Sequence, residues 1–269
     1  MRFFVYTYQM ANIRKKCLIS LKSLNNFAVN MEKPFRKYLI VMGAGSGVRM
    51  GSALPKQFLD LGGEPVLRRT IRVFLAAVPD IRVITVLPDE WIEYWKNRCI
   101  ADGFDCPQTL VRGGITRFHS VRNALAKVPS GAIVAIHDGV RPLLTPGLVR
   151  SMFARMEEGR CRGLIPVVPM VDTLKVLDRG TDPLGRPVWV EAPGESVDRA
   201  RVFGAQTPQL FRSDDIKAAY AQAFDTAFTD DASVARKKGI PLSFCEGERN
   251  NFKLTSPDDL ALAKLLISN

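Results

Sequence analysis

The chain has 269 residues, 46% of them hydrophobic, and a formal net charge of +11. That length accommodates one large α/β domain or two small ones and buries a sizeable core, which excludes a disordered main body. The charge favours anionic partners, whether nucleic acid, anionic lipid or phosphorylated small molecules, and with no run of about 18 apolar residues a membrane-spanning helix is excluded.

Residues 1–33 read as a basic leader. Arg2, Arg14, Lys15, Lys16 and Lys22 precede any acidic residue, and Glu32 is offset by Lys33. The leader joins no motif, and Met31 offers a start just before the first strand. It is expected to be a poorly ordered extension or a misassigned start, with a targeting peptide as the alternative. Residues 34–269 read as a single domain.

From Tyr38 the pattern alternates short apolar runs with segments of helical period. Tyr38 to Met42 predicts a buried strand opening into a glycine loop. Val66, Leu67, Ile71, Phe74 and Leu75 predict a helix over Pro65 to Val78. A strand follows at Ile81 to Leu87, a helix at Glu90 to Ile100, and a short strand at Thr109 to Val111 ending in Gly113-Gly114. Thr116 to Val128 reads as a helix, Ala132 to Ile136 as a buried strand running into His137-Asp138, and Leu164 to Val168 as another strand. Met170 to Phe203 breaks the pattern: a strand, a long turn over Asp178 to Arg186 and a returning strand at Val188-Trp189-Val190. Such an arm is only marginally stable alone and is expected to pack on a partner subunit, making a homodimer. Helices at Asp214 to Phe224 and Asp231 to Lys238, strands at Leu242 to Cys245 and Phe252 to Leu254, and a helix from Pro257 complete the chain.

Strands separated by helices predict a Rossmann-like, doubly wound α/β fold with a mostly parallel sheet. Ligands of such sheets collect beyond the carboxyl ends of the strands. Here those loops are Gly43 to Gln57, Gly113 to Ser120 and His137 to Arg141.

Their residues suit phosphoryl or nucleotidyl transfer, which needs cations and N–H donors held around a phosphate. Gly43, Gly45 and Gly47 let the backbone approach phosphates. Arg49 and Lys56 add full positive charges, the first able to grip two oxygens and the second a compact point charge. A dinucleotide fingerprint is disfavoured because position 48 is Val and Pro55 limits any following helix; a P-loop lacks its Gly-Lys-Ser/Thr. Asp138, at the end of a buried strand, is placed to hold Mg²⁺, or else to cap the next turn. Arg141 can bind a second phosphate. His137 reads as structural, Ser120 and Lys253 as ordinary helix and strand residues, and Thr229-Asp230-Asp231 as a helix N-cap with acids in the first turn. Cys17, Cys99, Cys106, Cys161 and Cys245 form no C-x-x-C pair, which fits reduced thiols in a cytoplasmic protein and makes a zinc site improbable.

Eight motifs occur together: the glycine loop with Arg49-Met50-Gly51; Pro55-Lys56-Gln57-Phe58; Gly113-Gly114 with Arg117 and Ser120-Val121; and His137-Asp138-Gly139-Val140-Arg141-Pro142. The others are Asp172-Thr173-Leu174-Lys175, Gln206-Thr207-Pro208-Gln209-Leu210-Phe211, Thr229-Asp230-Asp231-Ala232-Ser233 and Asn251-Phe252-Lys253-Leu254-Thr255. From Tyr38 onward the chain thereby resembles the 2-C-methyl-D-erythritol 4-phosphate cytidylyltransferases of the non-mevalonate isoprenoid pathway.

The resemblance implies that Arg49, Lys56 and Lys253 stabilise the pentavalent phosphate as the acceptor attacks CTP. It implies that Met42, Gly43, Ala44, Gly45 and Gly47 wrap the nucleotide, with Gly114 and Ser120 contacting cytosine. Asp138 would sit between metal and substrate, Arg141 and Thr229 would bind the methylerythritol phosphate, and an arm carrying Asp172 and Lys175 would complete the partner's site. Three positions depart from the family pattern. Val171 stands where some members carry an arginine that contacts the acceptor phosphate, Ile115 stands where an acid can follow the Gly-Gly pair, and Gly43-Ala44-Gly45 replaces the common Ala-Ala-Gly. Two other readings remain: a ribitol 5-phosphate cytidylyltransferase, which shares the nucleotide motifs, and a nucleic-acid-binding module. The second is opposed by interleaved acids and the lack of a basic-aromatic stacking motif.

Overall fold

An unbroken apolar run needs cover on both faces, and Ala132–Asp138 is buried at every position, the mark of a strand inside a sheet sandwiched by helices. The structure, a computed structural model, describes residues 35–45, 54–194 and 197–268. The leader, Gly47 and Arg49-Met50-Gly51 lie outside the described residues. The strands are β1 (Arg36–Met42), β2 (Arg82–Leu87), β3 (Gln108–Arg112), β4 (Ala132–Asp138), β5 (Gly163–Pro169), β6 (Leu177–Thr181), β7 (Pro187–Glu191), β8 (Phe203–Ala205), β9 (Gln209–Arg212) and β10 (Leu242–Glu246). The helices are α1 (Val66–Ala77), α2 (Asp89–Ala101), α3 (Arg117–Leu125), α4 (Pro146–Glu157), α5 (Ser213–Tyr220), α6 (Asp231–Lys237) and α7 (Pro257–Ser268).

The main sheet runs β10-β5-β9-β4-β1-β2-β3, with β8 paired to β5. β1, β2, β3 and β4 pair in parallel, as do β5 and β10. β9 is antiparallel to both of its neighbours and β8 antiparallel to β5. The mostly parallel doubly wound sheet expected from the sequence is therefore present. Side chains alternate across it with period two. Tyr38 and Ile40 of β1 pack with Phe118 and Val121 of α3 and Tyr220 of α5. Leu39 and Val41, equally buried, point to the opposite face.

Chain order reverses between β1 and β4. The chain steps outward from β1 to β2 and β3, then returns to the other side of β1 to form β4, so the loops leaving β1 and β4 diverge and open a crevice at the carboxyl edge.

Several local expectations are corrected. Phe252–Leu254 is not a strand; it has no ladder partner, and a single backbone bond from Leu254 N–H to the Val140 carbonyl at 2.9 Å holds it. The arm is a shorter hairpin, β6 with β7, whose turn covers only residues 182–186. That turn tightens because the Asp182 carboxylate accepts from the Leu184 and Arg186 N–H groups, each at 2.9 Å. β8 and β9 were not anticipated from the pattern. α3 stops at Leu125 and α5 at Tyr220, each short of its expected end. Leu184 and Trp189 of the arm are 76% and 64% exposed. Among the described residues no helix is long and apolar enough to cross a membrane.

Ile40 is fully buried at the centre of the sheet, whereas Ile100 on α2 is 78% exposed. Ile40→Ala is expected to cost about 2–5 kcal/mol by urea denaturation and Ile100→Ala less than about 0.5 kcal/mol. Equal losses would contradict the assignment of the core.

Candidate active site

The crevice between the ends of β1 and β4 is an open cleft of ≈ 230 Å³. Its wall is formed by Met42 at the end of β1 with Gly43, Ala44 and Gly45 after it, Lys56 and Gln57, then Gly114 through Arg117 with Ser120 after β3. Asp138 at the end of β4 and Val140 after it, together with Lys253, close it. Four chain segments far apart in sequence thus meet at one sheet edge.

Close packing sets the backbone here. A Cβ on Gly114 would lie 2.5 Å from that of His119, and one on Gly139 would lie 2.9 Å from the Met42 carbonyl oxygen; neither neighbour can yield, so glycine is required at both positions. The Gly114 N–H donates to Ser120 Oγ at 2.8 Å, and that hydroxyl donates to the Thr116 carbonyl at 2.9 Å. Ser120 therefore braces the loop as well as lining the cleft. Gln57, buried, donates from Nε2 to the Gly43 carbonyl at 2.7 Å. Phe58 beside it inserts among Trp91, Tyr94 and Trp95, with centroids 5.0–5.9 Å away. This aromatic anchor fixes the 3₁₀ turn Lys56–Phe58 and places Lys56 on the cleft wall.

Asp138 is the electrostatic centre. Its Oδ2 lies 3.1 Å from Lys253 Nζ and 3.4 Å from Arg141 Nε, while Arg117 Nε stands 3.9 Å from Oδ1. Burial opposes ionisation of this carboxyl, but Arg117, Lys253 and Arg141 together outweigh it and hold it below the usual carboxylate range. Among the described residues Oδ1 makes no hydrogen bond. Oδ2 is thus neutralised by two cations, while Oδ1 faces only the more distant Arg117 guanidinium among the described residues.

A buried polar clamp supports this arrangement. The Asp138 N–H donates to Thr207 Oγ1 at 3.1 Å, and Thr207 is 3.0 Å from His137 Nδ1. His137 Nε2 lies 3.1 Å from the Arg141 carbonyl. A carbonyl only accepts, so Nε2 carries the proton and Nδ1 accepts from the Thr207 hydroxyl. Asn251 donates to the Thr207 carbonyl at 2.8 Å and to Gln206 Oε1 at 3.3 Å, and its own carbonyl accepts from Arg141 Nη1 at 2.7 Å. Lys253, two residues on, is thereby locked to the end of β4 without belonging to any strand.

Of the residues singled out from the sequence, Met42, Gly43, Ala44, Gly45, Lys56, Gly114, Ser120, Asp138 and Lys253 share the cleft wall, and Arg141 touches Asp138 from behind. Asp172 and Thr229 are exposed and do not line the cleft. Asp230 caps α6 with a reciprocal capping box to Ser233, as its position predicts. Asp231 does something else: fully buried, it takes both ends of the Arg117 fork, with Nη1 to Oδ1 at 2.9 Å and Nη2 to Oδ2 at 2.6 Å. Arg117, Gln57, Thr207 and Asn251 sit inside the quoted motifs but carried no assigned role. Their partners are tens of residues distant, and pattern alone does not reveal them.

A family model described as IspD: 2-C-methyl-D-erythritol 4-phosphate cytidylyltransferase matches residues 38–269. A 2-C-methyl-D-erythritol 4-phosphate cytidylyltransferase of Bacteroides fragilis is 42% identical over 232 residues, spanning 86% of this chain and 99% of that protein. One from Porphyromonas gingivalis is 40% identical over 236 residues, spanning 87% and 99%. The crystal structure of the Thermus thermophilus protein of the same name superposes with a TM-score of 0.62 at 29% identity, covering 87% of this chain and 100% of that one.

His137 yields a pH test. Burial pushes its imidazole down to about 4 from an ordinary 6.5, against the pull of Asp138. As pH falls the unfolded chain therefore takes up this proton first. The stability contributed by neutral His137 is present above pH 6.5 and is lost progressively down to about 4, a total of about 3 kcal/mol. Urea unfolding across that window should fall less steeply in His137→Gln than in the parent; parallel slopes would contradict it.

Proposed function

The chain belongs to the 2-C-methyl-D-erythritol 4-phosphate cytidylyltransferase family, and from that premise we propose that it transfers the cytidylyl group of CTP to 2-C-methyl-D-erythritol 4-phosphate in isoprenoid biosynthesis. A phosphate oxygen of the acceptor attacks the α-phosphorus of CTP. The new P–O bond forms as the bond to the bridging oxygen breaks, and pyrophosphate leaves with that electron pair. The products are pyrophosphate and 4-diphosphocytidyl-2-C-methyl-D-erythritol.

The observation that carries this reading is the convergence of Lys56 and Lys253 with Asp138 on one cleft at the topological switch point. Negative charge builds on the transferring phosphoryl group in the transition state. Preorganised cations stabilise it without reorganisation cost at the moment of reaction. Lys56 and Lys253 do this from the cleft wall, with Arg49 assigned the same part by its place in the glycine loop. Met42 to Gly45, with Gly47, are assigned to wrap the nucleotide. Gly114 and Ser120 form the wall against which the base lies.

Among the described residues no group of three metal-ligating side chains exists. A single cleft-lining carboxylate, Asp138, fits a hard cation that arrives already bound to phosphates, as Mg²⁺ does. When bound, Mg²⁺ neutralises triphosphate oxygens and favours pyrophosphate as the leaving group.

The acceptor side is assigned to Arg141, Thr229 and Asp172, the last from the arm of a second subunit. One observation supports a homodimer. The hairpin β6–β7 presents Leu177, Leu184, Trp189 and Val190 to solvent, and a two-stranded hairpin gains little stability by itself. Arg199 Nη1 donates to the Val171 carbonyl at 2.7 Å. It thereby brings a guanidinium beside the position where some family members carry an arginine.

Pyrophosphate release measured side by side with 2-C-methyl-D-erythritol 4-phosphate and ribitol 5-phosphate tests the reading. A preference of about tenfold or more for the first, near 1.4 kcal/mol, is expected; the reverse preference, or no release with either, would refute it. In the same assay Lys56→Ala should lower turnover by at least ~10²-fold, and a variant within about threefold of the parent would remove Lys56 from the mechanism.

A further inference from the structure

Asp231 lies at the first turn of α6, where an exposed acid usually does no more than complement the helix dipole. Here it is fully buried. Its two oxygens take the two ends of the Arg117 fork, and Oδ1 also accepts from the Tyr220 hydroxyl at 2.5 Å. The Tyr220 ring stacks on Phe118 with centroids 4.7 Å apart, so this third bond comes from a fixed donor. Burial and the adjacent carboxylate both raise the phenol's pKa, which keeps that donor protonated.

Arg117 has two carboxylates within reach. Its fork is spent on Asp231, and toward Asp138 it presents only Nε, 3.9 Å from Oδ1. A guanidinium prefers to grip a carboxylate with two parallel N–H bonds. Without a charged residue at 231, the nearest such carboxylate is Asp138, whose Oδ2 is already taken by Lys253 and Arg141. Closure of Arg117 on Oδ1 would leave both oxygens of Asp138 capped by protein cations.

We propose that Asp231 is a positioning residue for cytidylyl transfer: by holding both ends of the Arg117 fork it keeps that guanidinium off Asp138 and leaves Asp138 Oδ1 open to the incoming Mg·CTP. Arg117 still lends its charge to the cleft, but at a distance that stabilises the Asp138 carboxylate without occluding it. Asp231 touches neither substrate nor metal and acts wholly through Arg117. The inference rests on the cytidylyl-transfer reading given above.

Calorimetric titration of the full chain with CTP and Mg²⁺, with thermal melts alongside, tests it. Asp231→Asn is expected to weaken Mg·CTP binding by about tenfold or more. Adding Arg117→Gln to that variant removes the stranded guanidinium and should recover at least about threefold of the loss, as a purely structural role for Asp231 would not. Tyr220→Phe, which leaves the fork in place, should lower the melting temperature while binding stays within about twofold. Parent-like binding by folded Asp231→Asn, no recovery in the paired variant, or an equal binding loss in Tyr220→Phe would each overturn the tether. A crystal structure of the parent with Mg·CTP gives a test independent of variant folding. Arg117 should remain bidentate on Asp231; finding it swung onto the triphosphate would overturn the proposal. A parent that binds no Mg·CTP at all would instead refute the cytidylyl-transfer reading, and the inference with it.

Discussion

A buried carboxylate among cations can hold several distant chain segments together, and Asp138 does so at the end of β4. Lys253 comes from the segment before α7, Arg141 from the loop beyond β4, and Arg117 from the start of α3. Brought together without an anion, these cations repel one another in a partly dry cleft, where charges interact several times more strongly than in bulk water. With Asp138 ionised, the cluster is stable yet keeps a positive excess, because Lys56 faces the same space. Folding and phosphate binding therefore depend on the same contact.

The cluster is tolerated because the scaffold around it is neutral and hydrogen-bonded. His137 is buried without charge and relays one hydrogen bond to Thr207 and another to Arg141, so the turn after β4 is fixed from both sides. Asn251 and Gln206 perform the same service for the segment that carries Lys253. These side chains bring no net charge of their own, and so set distances in the cleft without diluting its potential. The antiparallel strand β9, wedged between β4 and β5, is what delivers Thr207 and Gln209 to this edge.

Much of this was legible in the sequence, and the reasons divide cleanly. β1, β2 and β4 are apolar runs bounded by turn residues, and helices with clear periodicity separate them, so the doubly wound sheet and its three ligand-edge loops follow from pattern. Lys56 was readable because Pro55 and the glycines before it make a helix improbable there. Local pattern misled at Phe252–Leu254, where alternation suggested a strand but the segment is held by Asn251 and by one bond to Val140. It was silent on β8 and β9, which are too short for periodicity to register. It also could not separate Asp230 from Asp231. Both satisfy the helix-start rule, and only the fold shows that one caps the helix while the other reaches across 114 residues to Arg117.

Asp138 and Lys253 act as one unit rather than as two independent contributors. A double-mutant cycle on kcat/KM with Asp138→Asn, Lys253→Met and the pair together tests it most directly. The double variant is expected to lose no more than about threefold beyond the worse single variant. Losses that simply multiply would show that the two side chains work separately, and the picture of a carboxylate-organised cationic cleft would fail.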